Sequence, residues 1–340
     1  MHGTILGRAM VDAFWGILGG DVISLMKYDD HPKTAKLKPW IPAMFTGTSF
    51  SIYNYDTDFF ELVKSDLVDV HISEIDHLSP GKVHLVDGTE LPSDAMLAHN
   101  GWKHVPPVKF APEGIEKEMG LPHIPDESGT APFDDLANQK QLLDRVDQDI
   151  LARFPRLKDQ PVWNKQYVPL TDQKGIECQK DEVTPYTPMT PYMLYHFLVP
   201  PSKRFLRSRD IAFVGIVGNF SNVITAHLQG LWVSAYFSGK LAVDPAACVE
   251  DDKSMDQLRY ETMLQNRFGK WRYPVDWGSK APSFIFDAVP YLDQLQLDLG
   301  LARHHKASWW SEIWDPYGPE DYRRINEAWL EKYGPKAKDE

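Results

Sequence analysis

Residues 68–102 read VDVHISEIDHLSPGKVHLVDGTELPSDAMLAHNGW, and they set the frame for the rest of the chain. Val68-Asp69-Val70-His71-Ile72 alternates apolar and polar side chains, the period of a half-buried strand. Lys82-Val83-His84-Leu85-Val86 repeats the pattern, and Asp87-Gly88 marks a tight turn after it. The chain returns through Leu91-Pro92-Ser93-Asp94 into Ala95-Met96-Leu97-Ala98, an apolar run without alternation. Such a run suits a strand covered on both faces, as in a parallel sheet. It ends in His99-Asn100-Gly101-Trp102, where the glycine permits a sharp turn or a close backbone approach.

A second strand-helix unit is expected further on. Ile211-Ala212-Phe213-Val214 reads as a short buried strand ending at Gly215. Ser221-Asn222 is a good helix cap, and Ile224, Leu228, Leu231 and Ala235 then follow at helical spacing.

Together these segments resemble the second half of the flavin-containing monooxygenases, in particular the monooxygenase-like flavoproteins of fungal secondary metabolism. The resemblance rests on Asp87-Gly88-Thr89, Asp94 and Gly101-Trp102, and on Ala226, Gln229 and Trp232 in an A-x-x-Q-x-x-W helix. It runs along nearly the whole chain and corresponds to the family's C-terminal part. It implies an α/β protein: an incomplete two-dinucleotide-binding (Rossmann-like) flavoprotein fold with a helical C-terminal extension. Residues 1–98 would end the nicotinamide-type domain and carry its β-hairpin. Residues 99–250 would be the closing half of the flavin-type domain with a Pro-rich insertion. Residues 251–340 would form a Trp-rich helical region.

The implied activity is that of an FAD-dependent, NADPH-linked oxidoreductase, or one fragment of it, acting on a small organic metabolite. In that frame Asn100, Gly101, Trp102, Gly215, Asn222 and Gln229 are expected to border the cofactor. The positive end of the helix at Asn222 would face the flavin ring. Two departures stand out. The family has Ala-Thr where this chain has His99-Asn100. The G-x-G-x-x-G turns that hold the pyrophosphates of FAD and NADPH are absent; Gly16 with Gly19-Gly20, and Gly215 with Gly218, lack the spacing. Their absence leaves a separately encoded N-terminal half, a homo-oligomer or a truncated reading frame as expectations. The alternative is a repurposed or inactive remnant without flavin, doing cofactor-free isomerisation or cyclisation, or only binding a ligand or partner. His99, at the end of an expected buried strand, would be its acid or base; a satisfied core histidine is the other reading.

Composition narrows the classes. The 340 residues hold 36 Lys and Arg against 48 Asp and Glu, a net charge of −12, which argues against a broad nucleic-acid surface. Two cysteines, Cys178 and Cys248, form neither a disulfide framework nor a zinc site, and a reducing, cytoplasmic compartment is expected. No run approaches the roughly 18 apolar residues of a membrane span, and no signal peptide is read at the N-terminus. There is no G-x-S-x-G elbow, P-loop or H-E-x-x-H pair.

Other elements follow from local rules. Residues 5–18 read as a packing helix whose face is Ile5, Ala9, Ala13 and Ile17, ended by Gly19-Gly20. The abrupt start fits a product that has lost an upstream half. Lys33, Lys36 and Lys38 form a basic loop, read as solvated, with a phosphate contact as the alternative. Asp56-Thr57-Asp58 can cap a short helix over residues 59–65, and helices are expected over 135–154, stopped by Pro155, and over 255–268. Residues 103–134 read as a long Pro-rich connection. The Thr-Pro repeat at 184–191 reads as a pocket wall or loop, with a proline-recognition ligand as the alternative. His304-His305 read as a basic helix end rather than a ligand pair.

Overall fold

The computed structural model describes residues 2–47, 56–99, 108–126, 132, 134–161, 189–274, 281 and 283–334. Helix α1 spans Ile5–Leu25, begun by Thr4, whose Oγ1 accepts the Gly7 N–H. It runs straight through Gly19-Gly20, because a helical glycine costs only about 1 kcal/mol and the packing around it outweighs that. Its inward face is also not the expected one. Gly7, Val11, Trp15, Leu18, Gly19 and Val22 turn inward, while Ile5, Met10, Phe14 and Ile17 are exposed. The helix is apolar nearly all round, so periodicity alone could not choose a face.

Short helices α2 (Pro32–Ala35) and α3 (Phe59–Lys64) follow. Of Asp56-Thr57-Asp58 it is Asp58 that caps α3, its Oδ1 accepting the N–H groups of Phe60 (2.9 Å) and Glu61 (3.2 Å). Two lysines of the basic loop are engaged by backbone carbonyls, Lys33 half-buried and Lys36 at the exposed surface. Lys33 Nζ donates to the carbonyls of Ser65 (2.7 Å) and Val68 (2.8 Å), and Lys36 Nζ to that of Val70 (2.7 Å). Lys38 pairs with Asp29. These bonds explain why 68–72 is not a strand: its carbonyls are taken by lysines more than thirty residues upstream.

The sheet is instead β1 (Ile75–Ser79), β2 (Lys82–Leu85) and β3 (Glu90–Pro92), antiparallel in that order. Ser79 faces Lys82 and Val83 faces Leu91. Gly88, at φ +87°, makes the predicted turn, with Asp87 Oδ1 accepting the Thr89 N–H. The last bond along β3 runs from the Ser93 N–H to the Gly81 carbonyl (2.9 Å), at the turn where β2 begins, so the chain beyond has passed the end of its partner strand. Residues 95–98 add no strand among the described residues, and Leu97 is 98% exposed. Ile211–Val214 likewise makes no ladder, only the Phe213 N–H bond to the Leu198 carbonyl at 2.7 Å. The described residues are thus a helix-rich mixture with one small antiparallel sheet, and no parallel sheet forms among them.

The rest is helical: α4 (Ile115–Met119), α5 (Lys140–Arg153), α6 (Lys203–Ser208), α7 (Asn222–Phe237), α8 (Asp252–Arg272), α9 (Ala288–Asp298), α10 (Trp309–Trp314) and α11 (Ile325–Tyr333). The helix expected over 135–154 is a 3-10 turn at Leu136–Asn138 followed by α5, stopped at Pro155. That expected over 255–268 starts earlier, because Asp251 Oδ2 caps it at the Ser254 N–H. Two cores result. In one, α5 packs on α8 through Val146, Ile150 and Met263; in the other, α7 packs on α9 through Leu228, Trp232, Tyr236 and Leu295. Asp147 ties the first together, accepting from Arg267 Nε (2.7 Å), Arg267 Nη2 and Trp271 Nε1 (2.8 Å).

The Trp-rich end packs short helices on the core through Tyr291, Leu295, Tyr322, Ile325 and Trp329, but Trp309, Trp310 and Trp314 on α10 are exposed. His304-His305 lie outside any helix, one beside Glu312 and the other beside Gln296. Most of the Thr-Pro repeat, Cys178 and much of the Pro-rich connection lie outside the described residues. No helix among the described residues is long and apolar enough to cross a membrane.

Candidate functional site

Three of the expected cofactor residues, Gly215, Asn222 and Gln229, lie in the loop entering α7 and in that helix. Gly215 turns the chain at φ +80°, and its N–H is fixed by Gln229 Oε1 at 3.2 Å. Gln229 Nε2 donates to the Tyr291 hydroxyl at 2.9 Å, which donates to the His196 carbonyl at 2.9 Å. Burial pushes the Tyr291 phenol far up, so it stays a donor at ordinary pH. Gly218 then bridges to Ser283, and its carbonyl accepts the Phe284 N–H.

Asn219, not Ser221, organises the helix entry. Its Oδ1 accepts the Ser221 N–H (2.7 Å), its Nδ2 donates to Thr225 Oγ1 (2.8 Å), and its own N–H donates to Asn222 Oδ1 (3.2 Å). Ser221 makes no side-chain cap. Around this entry Val214, Gly215, Phe220, Asn222 and Val223 are all exposed. The first N–H groups of any helix lack intrahelical acceptors, so the end of α7 offers donors to an electron-rich oxygen.

Behind the loop is a buried group the sequence did not single out. His196 and Phe197 take φ +50° and +58° in succession, in a tight turn closed by the Tyr195 N–H to the Val199 carbonyl. Two left-handed residues without glycine cost about 1–3 kcal/mol each and persist only where contacts fix them. His196 Nε2 lies 3.0 Å from Asp298 Oδ2, and Trp232 Nε1 donates to the same oxygen at 2.9 Å. All three side chains are buried. Trp232, which the family motif places at the flavin site, is thus a core residue here. The only trace of this group in the sequence is a histidine inside an apolar run, Leu194-Tyr195-His196-Phe197-Leu198.

The structure joins Gly215 to Gln229 by a hydrogen bond and places Asn222 in the exposed first turn of α7, bonded to Asn219. Asn100, Gly101 and Trp102 lie outside the described residues. His99 is exposed and does not end a buried strand, because 95–98 forms none. A second polar cluster lies elsewhere: buried His123 donates from Nδ1 to the Leu121 carbonyl (2.8 Å) and sets Nε2 3.2 Å from Asp135 Oδ1. Among the described residues no group of three or more His, Cys, Asp or Glu is placed to hold a metal.

A flavin dinucleotide needs a planar face and a pyrophosphate grip. The α7 entry supplies an open face: a Cβ added at Gly215 or Gly218 would meet nothing within 4 Å. That openness is not a cradle, and the sequence holds no Gly-rich pyrophosphate turn. By itself this chain does not fit FAD.

Known proteins place the chain. It is 29% identical to FAD-dependent monooxygenase resA of Aspergillus sclerotiorum over 333 residues, 94% of this chain and 51% of that protein. It is 27% identical to FAD-dependent monooxygenase rstn6 of Aspergillus nomiae, over 97% of this chain and 52% of that protein. It is 25% identical to FAD-dependent monooxygenase avaB of Aspergillus versicolor, over 98% of this chain and 47% of that protein. This chain is a relative of fungal FAD-dependent monooxygenases. It spans about half the length of the curated relatives it matches. No family model matches it, and no solved structure does.

Proposed function

We propose that this chain forms one part of an FAD-dependent, NADPH-linked monooxygenase-like oxidoreductase acting on a small organic metabolite of secondary metabolism. The observation that carries the reading is the match along almost the whole chain to half of each FAD-dependent monooxygenase. Under it, residues 1–98 end a nicotinamide-type domain, 99–250 close a Rossmann-like flavin domain, and 251–340 extend it. The open α7 entry, with Gly215 and Asn222 at its surface and Gln229 bracing Gly215 from within, would present one face to the flavin. Asn100, Gly101 and Trp102 are proposed to border the same cofactor. The pyrophosphate grip would come from another polypeptide segment, separately encoded or joined to this one. A cytoplasmic location is part of the proposal, supported by the two-cysteine composition. The flavin-free alternative, with His99 as acid or base, draws less support, since His99 is exposed and ends no buried strand among the described residues.

A chimera tests the proposal. This chain replaces the matched segment of the Aspergillus sclerotiorum relative, and the product is purified and its visible spectrum recorded. Retained flavin, reduced on adding NADPH, is the expected outcome. A folded chimera, shown by circular dichroism and gel filtration, that retains no flavin would refute it.

A further inference from the structure

A cleft of about 400 Å³ lies between α1, the end of α5 and the end of α8. Its apolar walls include Met10, Phe14, Trp15, Phe154, Leu157 and Phe268. Two charged side chains, Arg272 and Asp287, and the ring of His2 complete it. Arg272 is only 5% exposed. Its guanidinium carbon sits 4.4 Å over the Trp15 ring and 4.5 Å over the Tyr273 ring, and its Nε lies 3.4 Å from Asp287 Oδ2. Asp287 also accepts the Tyr273 O–H at 2.5 Å. Both Nη1 and Nη2 are buried and find no hydrogen-bond partner among the described residues, and neither does His2 Nδ1.

This is an unusual way to leave a guanidinium. Two aromatic faces and one carboxylate fix its plane, and its outer fork, with up to four N–H donors, is left over. Buried donors without acceptors are destabilising, and a guanidinium fork matches a carboxylate with two parallel bonds. The apolar walls are poor hosts for water, which needs two to four polar partners. The cleft also falls within the usual 300–1,000 Å³ of small-molecule sites. We propose that the cleft binds a small apolar organic carboxylate. On binding, the side chains that cover Arg272 Nη1 and Nη2 move aside, the carboxylate meets both atoms, and the body of the molecule lies between Phe14, Trp15 and Phe154. The Asp287 charge is already opposed by Arg272 and by the Tyr273 O–H, so it orients the fork rather than filling it. The proposal concerns binding alone and stands apart from the flavin reading.

The test uses the full chain, isothermal titration calorimetry and two probes of one shape, 2-naphthoate and the neutral 2-naphthamide. The carboxylate is expected to bind about ten-fold tighter than the amide, the gain of a charge-assisted bidentate contact. Arg272→Met keeps the apolar stem and should abolish that preference. Should Arg272→Met fail to fold, Met10→Glu keeps the test alive: Met10 is a wall residue and 54% exposed on α1. An acidic side chain there should weaken 2-naphthoate and leave 2-naphthamide unchanged. Equal affinities in the native chain, absence of saturable 2-naphthoate binding, or a native preference in both variants would each overturn the proposal.

Discussion

Replacing Gln229 by Leu and Tyr291 by Phe, singly and together, measures the bond chain that holds the α7 entry. Gln229 Oε1 accepts from Gly215 N–H, and Nε2 donates to the Tyr291 hydroxyl, which donates to the His196 carbonyl. In Gln229→Leu the Gly215 N–H is near the surface and can turn to water, and Tyr291 keeps its bond to His196. The cost should be about 1–2 kcal/mol. In Tyr291→Phe two buried groups, the Gln229 amide and the His196 carbonyl, lose a partner at once, and about 2–3 kcal/mol is expected. The double variant removes the stranded amide as well. It should therefore be less destabilised than the sum of the singles, by roughly 1–2 kcal/mol. Urea unfolding of the four proteins, with m-values compared to exclude a change of unfolded state, gives the cycle. Additivity within about 0.5 kcal/mol would refute the reasoning, because independent sites behave that way.

Three further outcomes are expected. Gly120→Ala should lose at least about 2 kcal/mol, since Gly120 has φ +72° and an added Cβ would lie 2.2 Å from the Met193 carbonyl oxygen; Gly16→Ala on open α1 surface should gain about 0.5–1 kcal/mol, and thermal melts compare the two. Asp147→Asn should lower stability by about 2 kcal/mol in urea, as it strips the carboxylate from Arg267 and Trp271 between α5 and α8. The His123–Asp135 pair should make stability pH-dependent in a fixed sense. Burial pulls the His123 imidazolium down, but its bonds to Asp135 and the Leu121 carbonyl outweigh burial and raise it above 6.5. Burial pushes the Asp135 acid up, but His123 and Asn138 outweigh that and hold it below 3.8. The His123 contribution is then complete below 6.5 and fades as pH rises through its raised value. The Asp135 contribution is complete above 3.8 and fades as pH falls through its lowered value. The pair stabilises most between those limits, and His123→Gln should flatten the decline on the alkaline side; an unchanged profile would count against it.

What the sequence disclosed was decided locally. The Asp58 cap, the Asp87-Gly88 turn, the Pro155 stop and the α7 spacing each depend on residues a few positions apart, and all appear. The relationship to FAD-dependent monooxygenases was also legible, through motifs at Asp87-Gly88-Thr89 and Gly101-Trp102. What was hidden depends on distant partners. Alternation over 68–72 was read as a strand, and nothing nearby revealed that Lys33 and Lys36 would take its carbonyls. The apolar run 95–98 carried no sign that its partner strand would begin only at Lys82 and leave it nothing to pair with. Of the site, Gly215 and Gln229 were read and do touch. His196, Asp298 and Arg272 were not read, because each becomes distinctive only through burial against residues far along the chain.

The α7 entry and the Arg272 cleft share one piece of backbone, residues 283–287. On one side Ser283 bridges Gly218, the Phe284 N–H bonds the Gly218 carbonyl, and the Phe286 ring lies 5.8 Å from that of Phe220. On the other, the Phe286 ring lies 5.2 Å from that of Trp15, the Phe286 N–H bonds the Tyr273 hydroxyl, and Asp287 orients Arg272. Gly47 presses on the middle, where a Cβ would stand 2.2 Å from Ile285 Cγ2, so that position admits glycine alone without displacing the segment. Backbone bonds at one end, ring contacts along its length and an ion pair at the other leave these five residues little freedom to slide. The distance between the open face of α7 and the guanidinium is therefore set by packing rather than by a loop.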